Sequence, residues 1–159
     1  MTFVRAAAAA DMPLVRELIE EYCRWIDIDL AFQEIGSELD GLPGEYAPPE
    51  GVLLVGGIDH RIEGLVACRR FSAEVCEMKR LYVRPAGRGA GLARHLVMAL
   101  LDAAAARGYR DIYLDTLPIM GAAQRLYESL GFRDIPPYYA TPIPGTRFMS
   151  RSVLYNYDS

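Results

Sequence analysis

The segment from Glu77 to Leu101 places a strand-like run, a glycine-rich turn and a helix-like run in direct succession. The turn contains Gly87, Gly89 and Gly91. The first amides of a helix lack intrahelical acceptors, and the helix dipole adds positive potential at the same end. Glycines let the backbone come close to an anion, because no Cβ stands in the way. The segment therefore predicts a cradle for an anion such as phosphate.

The spacing of apolar residues predicts the elements before this turn. A short strand at Thr2–Arg5 precedes an amphipathic helix that begins after Asp11 and ends near Trp25. A second helical pattern runs from Asp29 to Leu42, and the segment 43–51 is a loop on composition. Three apolar runs joined by short turns then predict antiparallel strands side by side: Val52–Val55, Ile62–Phe71 and Val75–Val83.

The elements after the turn predict a crossover. The helix-like run closes at Gly108, and the strand Asp111–Asp115 follows it. A strand reached through a crossover helix is expected to lie parallel to the strand before that helix. A last helix ends at Gly131, and a final strand runs from Arg147 to Leu154. We expect an α/β protein that forms one domain, residues 1–159, because no repeat or linker interrupts the pattern.

Composition narrows the partners and the compartment. The net charge of −4 argues against a nucleic-acid binder, whose affinity comes mostly from Lys and Arg contacts to phosphates. Cys23, Cys68 and Cys76 are an odd number without close metal-type spacing, which indicates buried thiols in a reducing compartment. No apolar run reaches the roughly 18 residues that span a bilayer. We therefore expect a cytoplasmic protein with no membrane partner and no bound metal.

Other phosphate-binding turns fit these glycines less well. A Walker-type loop ends in Gly-Lys-Ser/Thr, whereas Gly91 is followed by Leu92 and Ala93. A dinucleotide fingerprint requires G-x-G-x-x-G within a βαβ unit. The glycines here have a different spacing, and three predicted antiparallel strands precede them. A glycine-rich connector without a ligand remains an alternative.

Two motifs resemble those of the GNAT acyltransferase superfamily. In the family's acyl-CoA-binding motif, Arg or Gln is followed by two residues, Gly, one residue, and then Gly or Ala; Arg88, Gly91 and Ala93 occupy those places. The run Leu126–Phe132 resembles the second signature, a helix ending in Leu-Tyr-Glu, two residues and Gly-Phe. The resemblance implies the GNAT fold, a mixed central β-sheet flanked by helices, with a splayed pair of parallel strands in the middle. It also implies an N-acetyltransferase that uses acetyl-CoA as co-substrate on a primary amine of a small molecule, amino acid or peptide.

The same resemblance assigns a cofactor site. Backbone amides from Arg88 to Ala93 would hold the CoA pyrophosphate, and the side chains of Arg88 and Arg94 would screen its charge. Backbone groups of the strand entering the turn would bind the pantetheine arm like an added strand. The expected cofactor-binding residues are Leu81, Tyr82, Val83, Arg88, Gly89, Ala90, Gly91, Leu92, Ala93 and Arg94. One departure is Met120, which occupies the place where many members carry an Asn that helps to hold pantetheine.

Two residues are candidates for catalysis, because acyl transfer to an amine needs a base for the amine and a proton for the departing thiolate. Glu77, on the strand that leads to the cleft, is the candidate base, directly or through water; alternatively it faces solvent or pairs with Lys79 or Arg80. Tyr127, within the second signature, is the candidate proton donor to the CoA sulfur; alternatively it is a core tyrosine. We expect direct attack of the amine in a ternary complex, since no cysteine adjoins the turn in sequence. The one exception to consider is Cys76, which is next to Glu77 and could lie near the cleft.

The acceptor amine is less constrained. In this fold the first two helices, the loop before the second strand and the segment before the last strand surround the acceptor entrance, and here they contribute Phe32, Glu34, Glu38, Tyr46, Tyr138, Tyr139 and Arg147. Acidic and aromatic groups would suit a cationic amine, whereas Arg147 would suit an acceptor that carries a carboxylate, and the sequence leaves both open. A CoA-binding regulatory or sensor module without turnover is the alternative function. The exposed sheet edges of such folds suggest a homodimer.

Overall fold

A computed structural model of the protein describes residues 1–28 and 33–154. Seven strands form one sheet in the order β1-β2-β3-β4-β5-β7-β6. The strands are β1 Thr2–Ala6, β2 Val52–Ile58, β3 Arg61–Arg70, β4 Val75–Val83, β5 Asp111–Thr116, β6 Arg133–Asp134 and β7 Arg147–Ser152. The α-helices are α1 Met12–Ile26, α2 Ile35–Asp40, α3 Leu92–Ala106 and α4 Gly121–Ser129. The predicted α/β class is confirmed, with a mixed sheet between helices.

Each face of the sheet has its own hydrophobic core. On one face, α3 packs through every third or fourth residue and buries Leu92, Leu96, Val97, Leu100, Leu101 and Ala104. On the other face, α1 buries Val15, Leu18, Ile19, Tyr22 and Ile26. Both helices show the spacing that gives an apolar stripe at 3.6 residues per turn. Within the part of the chain that the structure describes, no helix is long and apolar enough to cross a membrane.

The parallel pair β4 and β5 separates along its length. The two strands pair only where Val75–Glu77 lies beside Asp111–Tyr113. Beyond this point β4 stays paired with β3 on its other side, and β5 stays paired with β7 as far as Thr116. The predicted splayed parallel pair is therefore confirmed. The free edge of β4 beyond Glu77 faces an opening in the sheet.

An extra residue in β4 accompanies this separation. Lys79 and Tyr82 lie opposite residues 67 and 65 of β3, so three steps on β4 correspond to two on β3. Within this bulge Arg80 has a φ of 64°, in the left-handed region that non-glycine residues rarely adopt. As a consequence the adjacent side chains of Lys79 and Arg80 reach the same face, where both donate hydrogen bonds to Gln33 Oε1.

Several boundaries differ from the sequence predictions. The second helix is shorter, Ile35–Asp40, and residues 29–32 of the predicted helix lie outside the described residues. The loop 43–51 contains a short 3-10 turn that buries Tyr46. The two-residue strand β6 was not predicted, because both of its side chains are exposed and no apolar pattern marks it. Its pairing with β7 is a tertiary contact.

Candidate active site

The turn before α3 leaves a run of backbone N–H groups without protein acceptors. The N–H of Arg88 donates to Pro85 O, and the next backbone N–H with an acceptor is that of His95, which donates to Gly91 O. Among the described residues, none accepts a hydrogen bond from the six N–H groups between Gly89 and Arg94. These groups lie at the positive end of the α3 dipole, so they can bind an anion. The Arg88 amide, which the sequence prediction includes in the cradle, is already used within the turn.

The three glycines of the turn have two different roles. Gly89 and Gly91 have φ values of 88° and 76°, and a Cβ at either position would meet no atom within 4 Å. They provide the left-handed conformation that turns the chain into the helix. Gly87 instead packs closely, since a Cβ there would come within 2.8 Å of the Glu63 Cβ. Close approach to an anion therefore concerns the second and third glycines.

The two arginines near the turn make contacts within the protein. The Arg88 Nε donates to Val83 O at 3.0 Å, and its guanidinium lies over the Trp25 ring at 5.6 Å from the ring centre. The Arg94 Nη2 donates to Ser129 Oγ at 2.8 Å, which joins the start of α3 to the end of α4. Both side chains are at the exposed end of the turn, so either can exchange these contacts for a phosphate.

The divergence of β4 and β5 opens a narrow cleft next to the turn. Residues of α1, β4, β5 and α4 and of the segments before α2 and α4 line this cleft: Tyr22, Trp25, Gln33, Met78, Lys79, Arg80, Leu81, Leu114, Asp115, Leu117, Met120, Ala123 and Tyr127. An outer cavity of about 550 Å³ adjoins it and is lined by Gln33, Glu34, Glu45, Arg69, Arg70, Phe71, Glu77, Lys79, Tyr138, Tyr139, Ala140 and Pro142. Gln33 and Lys79 line both spaces and mark the junction between them.

The strand edge along the cleft can accept an extended ligand. Leu81 lines the cleft, while Tyr82 and Val83 follow it on the part of β4 that has no strand on its β5 side. Backbone groups on an unpaired strand edge can hydrogen-bond an extended chain as an added strand would. The three residues expected to bind the pantetheine arm are therefore on an edge that is open in the structure.

Tyr127 lies in the wall of the cleft. Its ring packs against Phe132 with the ring centres 5.5 Å apart, and its side chain is almost fully buried. No described residue forms a hydrogen bond with its hydroxyl group. Burial raises the pKa of Tyr127 above its ordinary value, with smaller contributions from Tyr22 and Asp115. The hydroxyl therefore keeps its proton at neutral pH.

Glu77 is buried at the boundary of the outer cavity. It accepts hydrogen bonds from Arg69 Nε at 3.1 Å and from the Tyr138 hydroxyl at 2.7 Å, and only 4% of its surface is exposed. It does not face solvent, and among the described residues neither Lys79 nor Arg80 forms an ion pair with it. Both alternatives considered for Glu77 from the sequence are therefore wrong, and its partners come from β3 and from the segment before β7.

A buried ion pair behind the cleft was missed by the sequence analysis. Arg80 makes two hydrogen bonds of 2.9 Å to the Glu38 carboxylate, which also accepts from the Tyr46 hydroxyl at 2.8 Å. Burial opposes the charge on Glu38, but the hydrogen bonds from Arg80 and Tyr46 outweigh it and hold the pKa of Glu38 below its usual value. Two adjacent charges, Lys79 and Arg80, inside an otherwise apolar strand were the signal that could have found this pair.

The described residues that were expected around the acceptor divide into three groups. Glu34, Tyr138 and Tyr139 line the outer cavity. Glu38 is instead paired with Arg80, and the Tyr46 hydroxyl donates to Glu38. The expectation for Arg147 fails, because its guanidinium makes two hydrogen bonds of 2.9 Å to Asp134 on β6 and the side chain lines neither the cleft nor the outer cavity. Phe32 lies outside the described residues.

Three further sequence features have a clear structural position. Met120 immediately precedes α4 and lines the cleft, and its sulfur accepts from Thr116 Oγ1 at 3.7 Å. Cys76 is fully buried in the core that packs against α3, and it lines neither the cleft nor the outer cavity. Over residues 1–28 and 33–154, no group of three or more His, Cys, Asp or Glu side chains is arranged to hold a metal ion.

Comparisons with known proteins show which family, relatives and solved structures this chain resembles. The chain matches the profile of the acetyltransferase (GNAT) family over residues 13–132. An uncharacterized N-acetyltransferase of Schizosaccharomyces pombe is 40% identical over 141 residues, which cover 87% of this chain and 86% of that protein. The N-acetylaspartate synthetase of Homo sapiens is 33% identical over 99 residues, or 62% of this chain and 33% of that protein. The PaiA N-acetyltransferase of Thermoplasma acidophilum in complex with coenzyme A has the same fold, with a TM-score of 0.75 and 14% identity over 96% of this chain and 99% of that one.

Proposed function

The chain belongs to the acetyltransferase (GNAT) family, and from this membership we propose that it transfers the acetyl group of acetyl-CoA to a primary amine of a small molecule, amino acid or peptide. The observation that carries the proposal is the run of free N–H groups from Gly89 to Arg94, placed beside a cleft that opens between two parallel strands. One relative is named N-acetylaspartate synthetase, a name that gives an acetylated amino acid as the product of that protein.

The residues at the turn suit the co-substrate. The N–H groups of Gly89, Ala90, Gly91, Leu92, Ala93 and Arg94 bind the pyrophosphate, and the Arg88 side chain leaves Val83 O and Trp25 to screen its charge. The free edge of β4 at Leu81, Tyr82 and Val83 binds the pantetheine arm. Met120 cannot donate a hydrogen bond to that arm, so the strand edge provides its polar contacts.

The cleft supplies the groups that acyl transfer requires. Glu77 takes a proton from the acceptor ammonium, directly or through water, because the neutral amine is the nucleophile. The amine then attacks the thioester carbon, the C–S bond breaks, and the Tyr127 hydroxyl gives its proton to the departing thiolate. The proton lost by the new amide nitrogen restores the Tyr127 hydroxyl, and Glu77 releases its proton to solvent. The burial of Cys76, which lines neither the cleft nor the outer cavity, supports direct attack in a ternary complex over transfer through a cysteine.

Two measurements on the same protein test the function. Calorimetry should show acetyl-CoA binding, and release of free CoA thiol should occur with at least one member of a panel of amines, amino acids and peptides. Binding of acetyl-CoA without thiol release on any acceptor would contradict the proposal and would support the alternative, a CoA-binding regulatory or sensor module.

The domain organisation, location and oligomeric state of the protein are part of the same proposal. We propose that residues 1–159 act as a single domain, since all seven strands belong to one sheet. The three cysteines are free thiols, which supports a cytoplasmic location. The outer strands β1 and β6 are the sheet edges through which a homodimer would form.

A further inference from the structure

Lys79 is a buried cation at the junction of the cleft and the outer cavity. Only 6% of the residue is exposed, and it lines both spaces. Its Nζ donates to Gln33 Oε1 at 3.3 Å. No carboxylate of the described residues lies within 4.0 Å of this nitrogen. An ammonium group has three donors. The amide oxygen satisfies one of them, and the other two have no partner among the described residues.

The other cations around these spaces are paired. Four cationic side chains of the described residues line the cleft or the outer cavity, and three of them have carboxylate partners: Arg69 with Glu45 and Glu77, Arg70 with Glu50, and Arg80 with Glu38. Lys79 is the fourth. A buried charge without a counter-ion is costly, whereas a buried charge with a well-placed partner is tolerated.

The nearest carboxylates do not fill this role, because each already has its own donors. Glu77 accepts from Arg69 and Tyr138. Asp115, which lines the cleft with Lys79, accepts a hydrogen bond from the Tyr139 hydroxyl. Burial lowers the pKa of Lys79, and Asp115 and Glu77 oppose that effect from a distance. The junction of the two spaces therefore holds Lys79, a cation with unused donors, near Glu77 and Asp115, two carboxylates that would attract an ammonium group.

On the basis of the acyltransfer function proposed above, we propose that Lys79 binds the carboxylate of the acceptor, and that the acceptor is a free amino acid. The amine must reach the cleft side, where Tyr127 lies, and Lys79 stands at the entrance to that side. An anion bound by Lys79 would therefore lie next to the reacting amine, as the carboxylate does in an amino acid. The outer cavity of about 550 Å³ leaves room for the acceptor side chain beside Phe71 and Tyr138.

This arrangement argues against the other acceptors. A protein N-terminus has a peptide carbonyl where the free amino acid has a carboxylate, so it offers no charge to Lys79. A polyamine would place a further cation beside Lys79 and Arg69, and like charges at such a site repel each other. The sequence suggested Arg147 as the partner of an acceptor carboxylate. Arg147 is paired with Asp134 away from both spaces, so Lys79 takes this role.

The test compares each of the twenty amino acids with its carboxamide, using thiol release by the wild-type protein and by Lys79→Met. The wild type should use at least one amino acid with a kcat/KM at least tenfold above that of its amide. Lys79→Met should remove this preference by raising KM for the amino acid at least tenfold, with the amide little changed. Arg70→Met, which removes another cation from the outer cavity, is the matched control and should keep the preference.

The outcomes separate this inference from the function on which it rests. Equal or better use of the amides by the wild type would overturn the inference while leaving the acetyltransferase function in place, and this comparison needs no variant. A merely structural role for Lys79 would lower activity on amino acid and amide together, and this result would also overturn the inference. Acetyl-CoA affinity and melting temperature show whether the Lys79→Met variant is folded. Absence of thiol release with every acceptor contradicts the enzymatic function itself.

Discussion

The hydroxyl of Tyr127 is positioned by residues that surround the ring. Phe132, which follows the left-handed Gly131 at the end of α4, packs against the ring, and the Tyr127 side chain lines the cleft. Burial keeps the hydroxyl protonated, so it can act as a donor. A core tyrosine and a proton donor are therefore compatible descriptions of the same side chain.

Replacement of Tyr127 by Phe tests the proton donor. The change removes one oxygen atom and keeps the ring packing, so folding and acetyl-CoA affinity should be preserved. We expect kcat to fall by about 10²-fold, the lower range for general acid catalysis. Steady-state kinetics with calorimetry of acetyl-CoA binding provide the measurement. An unchanged kcat would show that the thiolate takes its proton elsewhere.

At the scale of the element, the start of α3 combines a turn with a helix end. Gly89 and Gly91 fix the turn through their positive φ values, and the six free N–H groups follow from the rule that a helix leaves its first amides without partners. Both properties are local, which is why they could be predicted from the sequence. The bulge at Arg80 is different, since it depends on pairing with β3 and was not predicted.

Ala93→Pro tests the free N–H groups of this element. Proline is tolerated in the first turn of a helix, and α1 already has Pro13 at the equivalent second position. The substitution removes one N–H donor to the pyrophosphate, so we expect acetyl-CoA to bind about tenfold more weakly or worse, since a hydrogen bond to a charged group is worth about 1.5–3 kcal/mol. Ala93→Ser keeps the N–H and should bind normally. Equal affinity in calorimetry for both variants would mean that this amide does not contact the phosphate.

At the scale of the whole molecule, ion pairs connect separate elements of the fold. Arg80 joins β4 to α2 through Glu38, Arg84 joins the end of β4 to α1 through Glu21, and Arg5 pairs with Asp11. Hydrogen bonds from Arg5 hold the pKa of Asp11 at about 2, and those from Arg84 lower the pKa of Glu21. These carboxylates are ionised in the folded protein at pH values where those of the unfolded chain take up protons.

Stability should therefore depend on pH in the acid range. The lowered pKa values mean that the unfolded chain binds more protons than the folded chain below about pH 4.5, the ordinary value for Glu. The stabilisation is fully present above that pH and is lost as the pH falls towards the folded-state values. Thermal unfolding from pH 6 to pH 3 should show a falling midpoint, and a constant midpoint would contradict this linkage.

Glu38→Gln tests the most buried of these three ion pairs at neutral pH. The change leaves the Arg80 guanidinium, whose side chain is 2% exposed, without its counter-ion. We expect a loss of about 3 kcal/mol in the free energy of unfolding, as for other broken buried pairs. Asp40→Asn is the matched control. Asp40 lies on α2 like Glu38 but forms an exposed ion pair with Arg16 of α1, so its loss should change stability by less than about 1 kcal/mol. A similar loss in both variants, measured by denaturant unfolding, would show that the Arg80 pair is not special.

The sequence alone determined the features that depend on neighbours in the chain: the glycine turn, the crossover from β4 through α3 to β5, and the placement of Tyr127 before Gly131. Only the tertiary structure decided which charges are paired, because Lys79, Gln33 and Asp115 come from separate parts of the chain and meet where β4 and β5 diverge. The register between β3 and β4 moves Lys79 onto the cleft face, and pairing with Asp134 withdraws Arg147 from the acceptor site. Local backbone conformation can be read from a few adjacent residues, whereas the partner of a buried charge depends on contacts that no local pattern specifies.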